Sequence, residues 1–291
     1  MAAAGRRRQT GRMDQRRGIS LGIGLYAGAA VLLGVLGLVS ADFATNWQRV
    51  TPGVPHRMLL AYLAGAYELL AGGALFWRRS ARWGALALAG IYAIYWALWM
   101  VHALGAPQIY DSWGNVFEEL SAVIAGCAAF AWLSPPGSPW ARRAVTIARL
   151  YGICCISFGA THFIYFSGAS GFVPKWIPPG GKFWAAATGV FFLAGAASLL
   201  SGVMMGLASR LLGVMVLGFE VLIWLPWLLF GPPPWLHVLV AEGSVTHFLW
   251  AGNGVATAFG AAAWVVADVI NGAAKARVEE RAGVETGSYA A

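Results

Sequence analysis

Eight apolar runs follow one another along the chain, and each is about as long as the roughly 20-residue helix that crosses a bilayer. Gly and Ala occur in every run, as is typical of membrane helices that pack closely. The runs cover residues 19–40, 58–77, 83–104, 116–134, 145–166, 183–205, 211–231 and 244–267. A membrane β-barrel would instead have short segments of alternating hydrophobicity. The pattern therefore predicts an all-α polytopic membrane protein with eight transmembrane helices.

The composition supports a membrane protein and argues against two other classes. The 291 residues are 59% hydrophobic and 11% charged, so a soluble fold would have to expose a large apolar surface. A disordered chain would be polar and poor in aromatic residues. The net charge of +8 comes from basic clusters between the apolar runs, which is how membrane topology is encoded. We therefore expect the lipid bilayer as a partner, and no nucleic acid.

The positions of the basic residues predict the orientation of the helices. Of the 20 Lys and Arg residues, all but four lie in the termini or in the connections after even-numbered runs. Cytoplasmic segments are enriched in Lys and Arg, so we expect a bacterial-type inner (plasma) membrane protein with both termini in the cytoplasm. Arg16 and Arg17 also resemble a secretion signal. The first run is about 21 residues long, against roughly 7–15 in a signal peptide, which favours a retained helix.

The chain contains an internal repeat. Residues 113–120 and 242–249 open the fourth and eighth runs, and a Val-Pro pair precedes both the second and the sixth run. A four-helix block keeps its orientation when it is repeated, so we predict two parallel, repeated four-helix bundles. The predicted parts are a basic cytoplasmic tail (1–18), a first four-helix unit (19–134), a Pro-rich cytoplasmic linker (135–144), a second four-helix unit (145–268) and a cytoplasmic C-terminal tail (269–291).

The second unit carries a loop motif, Gly171-Phe172-Val173-Pro174-Lys175-Trp176-Ile177-Pro178, followed by Phe183-Trp184 and Thr188-Gly189. The first unit matches it more weakly, with Val54-Pro55, Gly65, Glu68-Leu69-Leu70 and Gly72-Gly73. On these residues the chain resembles the DoxX/DoxD-like membrane proteins, which have four-helix units with such a loop before the second helix. The family is functionally mixed and includes subunits linked to electron transfer from thiosulfate to quinone. The resemblance implies the fold more strongly than the reaction.

Histidines gather at one side of the predicted membrane. All five lie near the predicted outer ends of the runs: His56, His102, His162, His237 and His247. Such residues suit the headgroup zone, as Trp and Tyr do. They would equally suit a pocket that binds a metal ion, a quinone headgroup or a protein-borne cofactor. Aromatic residues of the outer loops, among them Trp176 and Trp184, allow the same two interpretations.

Two acidic residues lie within apolar runs. Glu68 is near the middle of the second run, with Gly65, Gly72 and Gly73 roughly on its face, and Glu220 is in the middle of the seventh. A charged carboxylate is costly at this depth, so each is expected to be neutral, paired or facing a polar cavity. The alternatives are a functional acid and an acid that is hydrogen-bonded to a neighbouring helix.

The start of the fourth run carries two adjacent acids, Glu118 and Glu119. Adjacent helical residues point about 100° apart, so one is expected to face inward and the other outward. The repeat aligns Glu118 with His247, which predicts a His–carboxylate pair that relays protons or ligates a metal ion. The spacing matches no strong metal-binding motif.

These patterns select two sets of candidate site residues. The catalytic candidates are Glu68, Glu118 and His247, and the cofactor-binding candidates are His102, His162, Glu220, Trp176 and Trp184. With the family resemblance, they predict a redox-associated, quinone-linked subunit whose polar pocket faces outward. A metal ion or haem stays open as the cofactor, and membrane or periplasmic proteins as partners. Two alternatives are a non-catalytic accessory or assembly subunit and a transporter of a small solute or protons.

Overall fold

A computed structural model describes residues 19–44, 46–238, 240 and 244–288. The predicted basic tail at 1–18 lies outside the described residues. The eight long helices are α1 (Leu21–Ser40), α2 (Arg57–Leu75), α3 (Ala81–Gly105), α4 (Tyr110–Leu133), α5 (Pro139–Ile164), α6 (Gly181–Ser201), α7 (Met205–Phe230) and α8 (Val245–Ser288). A short helix, Phe166–Phe172, follows α5, and a 3₁₀ turn, Pro234–Val238, precedes α8.

All eight long helices are long and apolar enough to cross a membrane. The described residues contain no β-strand. These two findings confirm the prediction of an all-α, polytopic membrane protein. For four of the eight helices, both predicted ends lie within a few residues of the observed ones, because length and hydrophobicity are the properties that a bilayer requires. The larger differences occur where α4, α5, α7 and α8 extend beyond their apolar runs.

The segment predicted as the linker, residues 135–144, contains the start of a helix. Helix α5 already begins at Pro139, and the Ser138 side chain accepts a hydrogen bond from the Ala141 N–H at 3.1 Å. Proline is tolerated in the first helical turn because its missing N–H would have no helical partner there. The non-helical connection between the two units is therefore only residues 134–138.

Most of the segment predicted as a cytoplasmic C-terminal tail, residues 269–291, belongs to helix α8 as far as the structure describes it. Helix α8 has 44 residues and continues through Lys275 and Arg277 to Ser288. This stretch is rich in Ala, Glu and Arg, which favour a helix in water. The apolar run predicted the part of α8 that suits a membrane and missed its polar extension.

The two four-helix units interlock. Helices that follow each other along the chain pack together within each unit. In addition, α1 packs on α8 and α5 packs on α4, so the first helix of each unit contacts the last helix of the other. Helices α4 and α8 also contact each other across the middle. The two predicted four-helix units therefore pack against each other through α1, α4, α5 and α8.

Glycines bring α1 and α2 close together. A Cβ atom on Gly65 would lie 2.8 Å from the Gly34 carbonyl oxygen, and one on Gly72 would lie 2.9 Å from the Ala27 carbonyl oxygen. The predicted glycine face is therefore confirmed for Gly65 and Gly72. It is wrong for Gly73, which has no atom within 4 Å of its Cβ position. The close approach buries the Glu68 side of α2 against α1.

Candidate functional site

A cavity of about 1010 Å³ lies at the predicted outer end, where α1, α3, α5 and α7 end and α2, α4, α6 and α8 begin. Its wall includes residues from the α1–α2 loop, from the ends of α3, α5 and α7, and from the first turns of α4, α6 and α8. Both four-helix units therefore contribute to one cavity. The residues of the wall divide into an aromatic side and a polar side.

The aromatic side is built around His162 of α5. The His162 ring centroid lies 5.4 Å from that of Phe192 and 6.3 Å from that of Phe219. The ring centroids of Phe158 and Phe192 are 5.4 Å apart, and Trp224 of α7 also lines this part of the cavity. Flat aromatic and apolar walls of this kind suit a hydrophobic ligand that contains a ring.

The hydrogen bond of His162 fixes which ring nitrogen is available to a ligand. The Nδ1 atom lies 2.8 Å from the carbonyl oxygen of Phe158, one helical turn earlier. A carbonyl oxygen only accepts, so Nδ1 must carry a proton. In the neutral ring, Nε2 then has a lone pair that can accept a hydrogen bond from a ligand on the cavity side.

The polar side of the cavity contains an arginine that sequence reasoning did not select. The Arg49 guanidinium lies 5.2 Å from the centre of the Trp99 ring, and its Nη2 atom is 3.4 Å from Nδ1 of His102. The Arg49 Nε atom is buried and has no hydrogen-bond partner among the described residues. The Trp99 indole N–H donates to the Trp47 carbonyl, which holds the loop against α3. Arg49 and His102 thus offer polar N–H groups to a ligand in the cavity.

A second polar residue of the wall, Gln48, connects the cavity to a buried acid. The Gln48 Nε2 atom donates to Oε1 of Glu68 at 2.9 Å, and its Oε1 atom accepts from the Ala44 N–H at 2.8 Å. Glu68 is only 1% exposed and is not part of the cavity wall. The predicted acid at mid-depth is therefore partnered, and Gln48 separates it from the cavity.

Both acids at the start of α4 face the interior. Glu118 is half-buried and forms part of the cavity wall, while Glu119 is 6% exposed and fully inside the protein. The prediction that one of them faces outward is wrong. The reason is the central position of α4, which is covered by α3, α5 and α8 on several sides.

The predicted pair of Glu118 and His247 does not form. His247 is buried in the first turn of α8, and its electrostatic partners are Asp42 and Arg57. Arg57 also forms an ion pair with Asp42 and donates from Nε to the Val50 carbonyl at 3.1 Å. The repeat aligns Glu118 with His247, but their surroundings differ: Glu118 lines the cavity, whereas His247 lies near Asp42 and Arg57. His247 is absent from the cavity wall.

Two of the predicted cofactor-binding residues also lie outside the cavity wall. Trp176 is 70% exposed on the α5–α6 loop, although Pro174 and Ile177 beside it do line the cavity. Glu220 begins a π-helical turn, Glu220–Trp224, in which the Leu225 N–H bonds to the Glu220 carbonyl five residues earlier. Its Oε2 atom is buried without a hydrogen-bond partner among the described residues. Residues Leu222 to Trp224 of this turn reach the cavity, and Glu220 itself does not.

Pro226 accounts for the π-helical turn. Proline has no N–H to donate to the carbonyl four residues earlier, so the regular helical pattern is interrupted just before it. Asn253 of α8 also contacts this turn, since its Nδ2 atom donates to the Trp224 carbonyl at 3.2 Å. The irregular turn presents the Trp224 side chain to the cavity.

The structure thus places four predicted residues, His102, His162, Glu118 and Trp184, in one cavity wall. Trp184 is held there by its indole N–H, which donates to the Pro178 carbonyl at 2.9 Å. Arg49 was not selected from the sequence, because Arg and Lys residues of the loops served only to predict topology. Gln48 was not selected, because an uncharged loop residue gives no such signal. One signal was available in the sequence, since Gln48 and Arg49 come after Trp47, an aromatic residue of an outer loop.

Metal binding and family membership both stay predictions. Within the described ranges, no group of three or more His, Cys, Asp and Glu residues is arranged to hold a metal ion. The resemblance to DoxX/DoxD-like proteins rests on the sequence motifs alone. A scan of protein-family models and searches of curated proteins and solved structures found no match to this chain.

Proposed function

We propose that this chain is a quinone-linked redox subunit of a bacterial-type inner membrane, similar to the DoxX/DoxD-like proteins. In this proposal both termini are cytoplasmic and the cavity opens towards the outer face, where a membrane or periplasmic protein partner supplies or receives the electrons. The observation that carries the proposal is the cavity of about 1010 Å³ with one aromatic side and one polar side. Such a site suits a membrane-soluble ligand with a flat polar head and an apolar tail.

The polar groups of the cavity suit the two forms of a quinone. A quinone has carbonyl oxygens that accept hydrogen bonds, and Arg49 and His102 offer N–H donors. A quinol has hydroxyl groups that donate, and Nε2 of His162 offers a lone pair because its Nδ1 is engaged with Phe158. The aromatic side chains of Phe192 and Phe219 flank His162 and would lie against the ring.

Quenching of tryptophan fluorescence by a short-tailed quinone analogue tests this proposal. Trp99, Trp184 and Trp224 line the cavity, so a quinone that binds there should quench their emission at saturating concentration. We expect His162→Leu and Arg49→Leu each to weaken binding by about fivefold or more, since each removes a hydrogen-bonding group worth about 1 kcal/mol. The matched control is His237→Leu, which alters an exposed histidine outside the cavity wall.

Two results would overturn the proposal. One is quenching that does not saturate, or that is equally strong in the His162→Leu, Arg49→Leu and His237→Leu variants, because this would indicate partitioning into the micelle. The other is a protein that is purified from native membranes without bound quinone and that shows no quinone-dependent electron transfer with its co-purified partners.

A further inference from the structure

A group of buried polar side chains lies behind the cavity, inside the first four-helix unit. It contains Glu68 of α2, Glu119 of α4, and Tyr92 and Tyr95 of α3, which are 1%, 6%, 4% and 2% exposed. Both tyrosines interact electrostatically with both glutamates. The site proposed for the cavity ligand does not use Glu119 or the two tyrosines.

The charges in this group are not balanced by the protein. The two carboxyl groups interact electrostatically with each other, and Glu119 also interacts with Glu118. Among the described residues, neither Glu68 nor Glu119 has an Arg, Lys or His partner. Two buried carboxylates without a counter-charge would repel each other at low dielectric, so at least one must be neutral.

The hydroxyl group of Tyr92 provides a second, independent observation. The Oη atom of Tyr92 is buried and has no hydrogen-bond partner within the described part of the chain, whereas the Tyr95 hydroxyl is hydrogen-bonded to the Glu68 carboxyl group. Buried polar atoms are nearly always satisfied, often by an internal water molecule. An unsatisfied Tyr92 hydroxyl that interacts with both acids therefore points to a polar occupant, such as a water molecule or a proton held between oxygen atoms.

The surroundings of the two acids are otherwise well defined. Tyr26 of α1 is the titratable group on that helix, and its hydroxyl donates to the Ala122 carbonyl at 2.8 Å. Gln48 donates to Glu68 from the loop. Helices α5 and α8 also pack on α4, but within the described ranges neither adds a group that interacts with either acid. Glu118 is the neighbouring acid that reaches the cavity wall.

We propose that Glu68 and Glu119 form a proton-binding site inside the first unit, and that Glu118 exchanges this proton with the cavity. In the uptake step, the O–H bond of protonated Glu118 breaks and an O–H bond forms on the carboxylate of Glu119 or Glu68. Glu118 becomes a carboxylate and is reprotonated by a proton from the outer solution, which reaches it through water in the cavity. The site does not depend on the ligand that occupies the cavity, although a quinone bound there would use it because quinone reduction takes up protons.

Infrared spectroscopy of the full-length protein in nanodiscs tests the site directly. A protonated carboxyl group gives a C=O band that shifts when its hydrogen is replaced by deuterium. We expect Glu68→Gln and Glu119→Gln each to reduce or displace this band. Glu118→Gln should keep the band and slow its shift in D₂O by about tenfold or more, because a positioned acid–base group is lost. The matched control is Asp268→Asn, which alters a half-buried acid of α8 and should leave the rate unchanged.

Three outcomes would overturn the inference. The first is a band that is unchanged in both Glu68→Gln and Glu119→Gln. The second is an equal exchange rate in Glu118→Gln and Asp268→Asn; this comparison does not require the buried variants to fold. The third is a band that responds to Na⁺ at constant pH, which would indicate a metal cation in place of the proton. None of these outcomes involves quinone, so they are distinct from failure of the fluorescence experiment.

Discussion

Replacing Gln48 by Leu should destabilise the protein by about 2–4 kcal/mol. The Gln48 side chain donates to Glu68 at 2.9 Å and accepts from the Ala44 N–H at 2.8 Å, and all three residues are buried. Leucine has a similar size but forms neither bond, so two buried polar groups would lose their partners. Each such group costs about 1–3 kcal/mol, and the lower half of that range is appropriate because the loop can partly relax.

A double-mutant cycle with Glu68→Leu isolates the bond between the two side chains. Unfolding by SDS in mixed micelles, followed by far-UV circular dichroism, gives the free energy for each variant. We expect the double variant to be about 1–3 kcal/mol more stable than the sum of the single effects predicts, because no unpaired partner is left across the contact. The control Asn115→Leu, at the cavity wall, should change stability by roughly 0.5 kcal/mol or less. Additive effects, or a Gln48→Leu variant as stable as the parent, would refute the reasoning.

Two further predictions concern the packing of α1. Gly65→Ala should destabilise the protein by about 1–3 kcal/mol, since its Cβ would lie 2.8 Å from the Gly34 carbonyl oxygen, whereas Gly73→Ala should be neutral or slightly stabilising. The same SDS titration measures both, and equal effects would contradict the close contact. Asp268→Ala should cost about 1–2 kcal/mol, because Oδ2 of Asp268 accepts from the Gly22 N–H at 2.9 Å at the start of α1. Asp268→Asn keeps an acceptor and should retain most of this stability in thermal unfolding; an equal loss in both variants would argue against the hydrogen bond.

The helices were predictable because the bilayer sets both their length and their composition. Apolar runs therefore locate all eight helices. The helix ends that the apolar runs do not predict are set by capping residues or by helix propensity instead of hydrophobicity. Ser138 caps α5 and Pro139 is its first residue. In the sequence, this proline belongs to a Pro-rich segment, which suggests a loop instead of a helix start. The polar end of α8 is helical through propensity, which hydrophobicity does not measure.

The candidate site was predictable only in part, because depth in the membrane follows from the sequence and helix rotation does not. His162 and His247 both lie at the predicted outer end, yet His162 lines the cavity while His247 packs near Asp42 and Arg57. Arg49 reaches the cavity because its loop is held by Trp99. Folded loops of this kind have no periodicity from which the direction of a side chain could be predicted.

The interlocked packing of the two units has the contact pattern of a symmetric dimer whose subunits have been joined. If the chain were cut at residues 134–138, the first helix of each half would still pack on the last helix of the other, as in an isologous two-fold interface. A homodimer would have to carry every polar group twice. The joined chain does not: α2 carries Glu68, whereas α6 contains no acidic residue. Covalent joining therefore lets one half keep a buried acid pair while the other supplies an apolar aromatic wall.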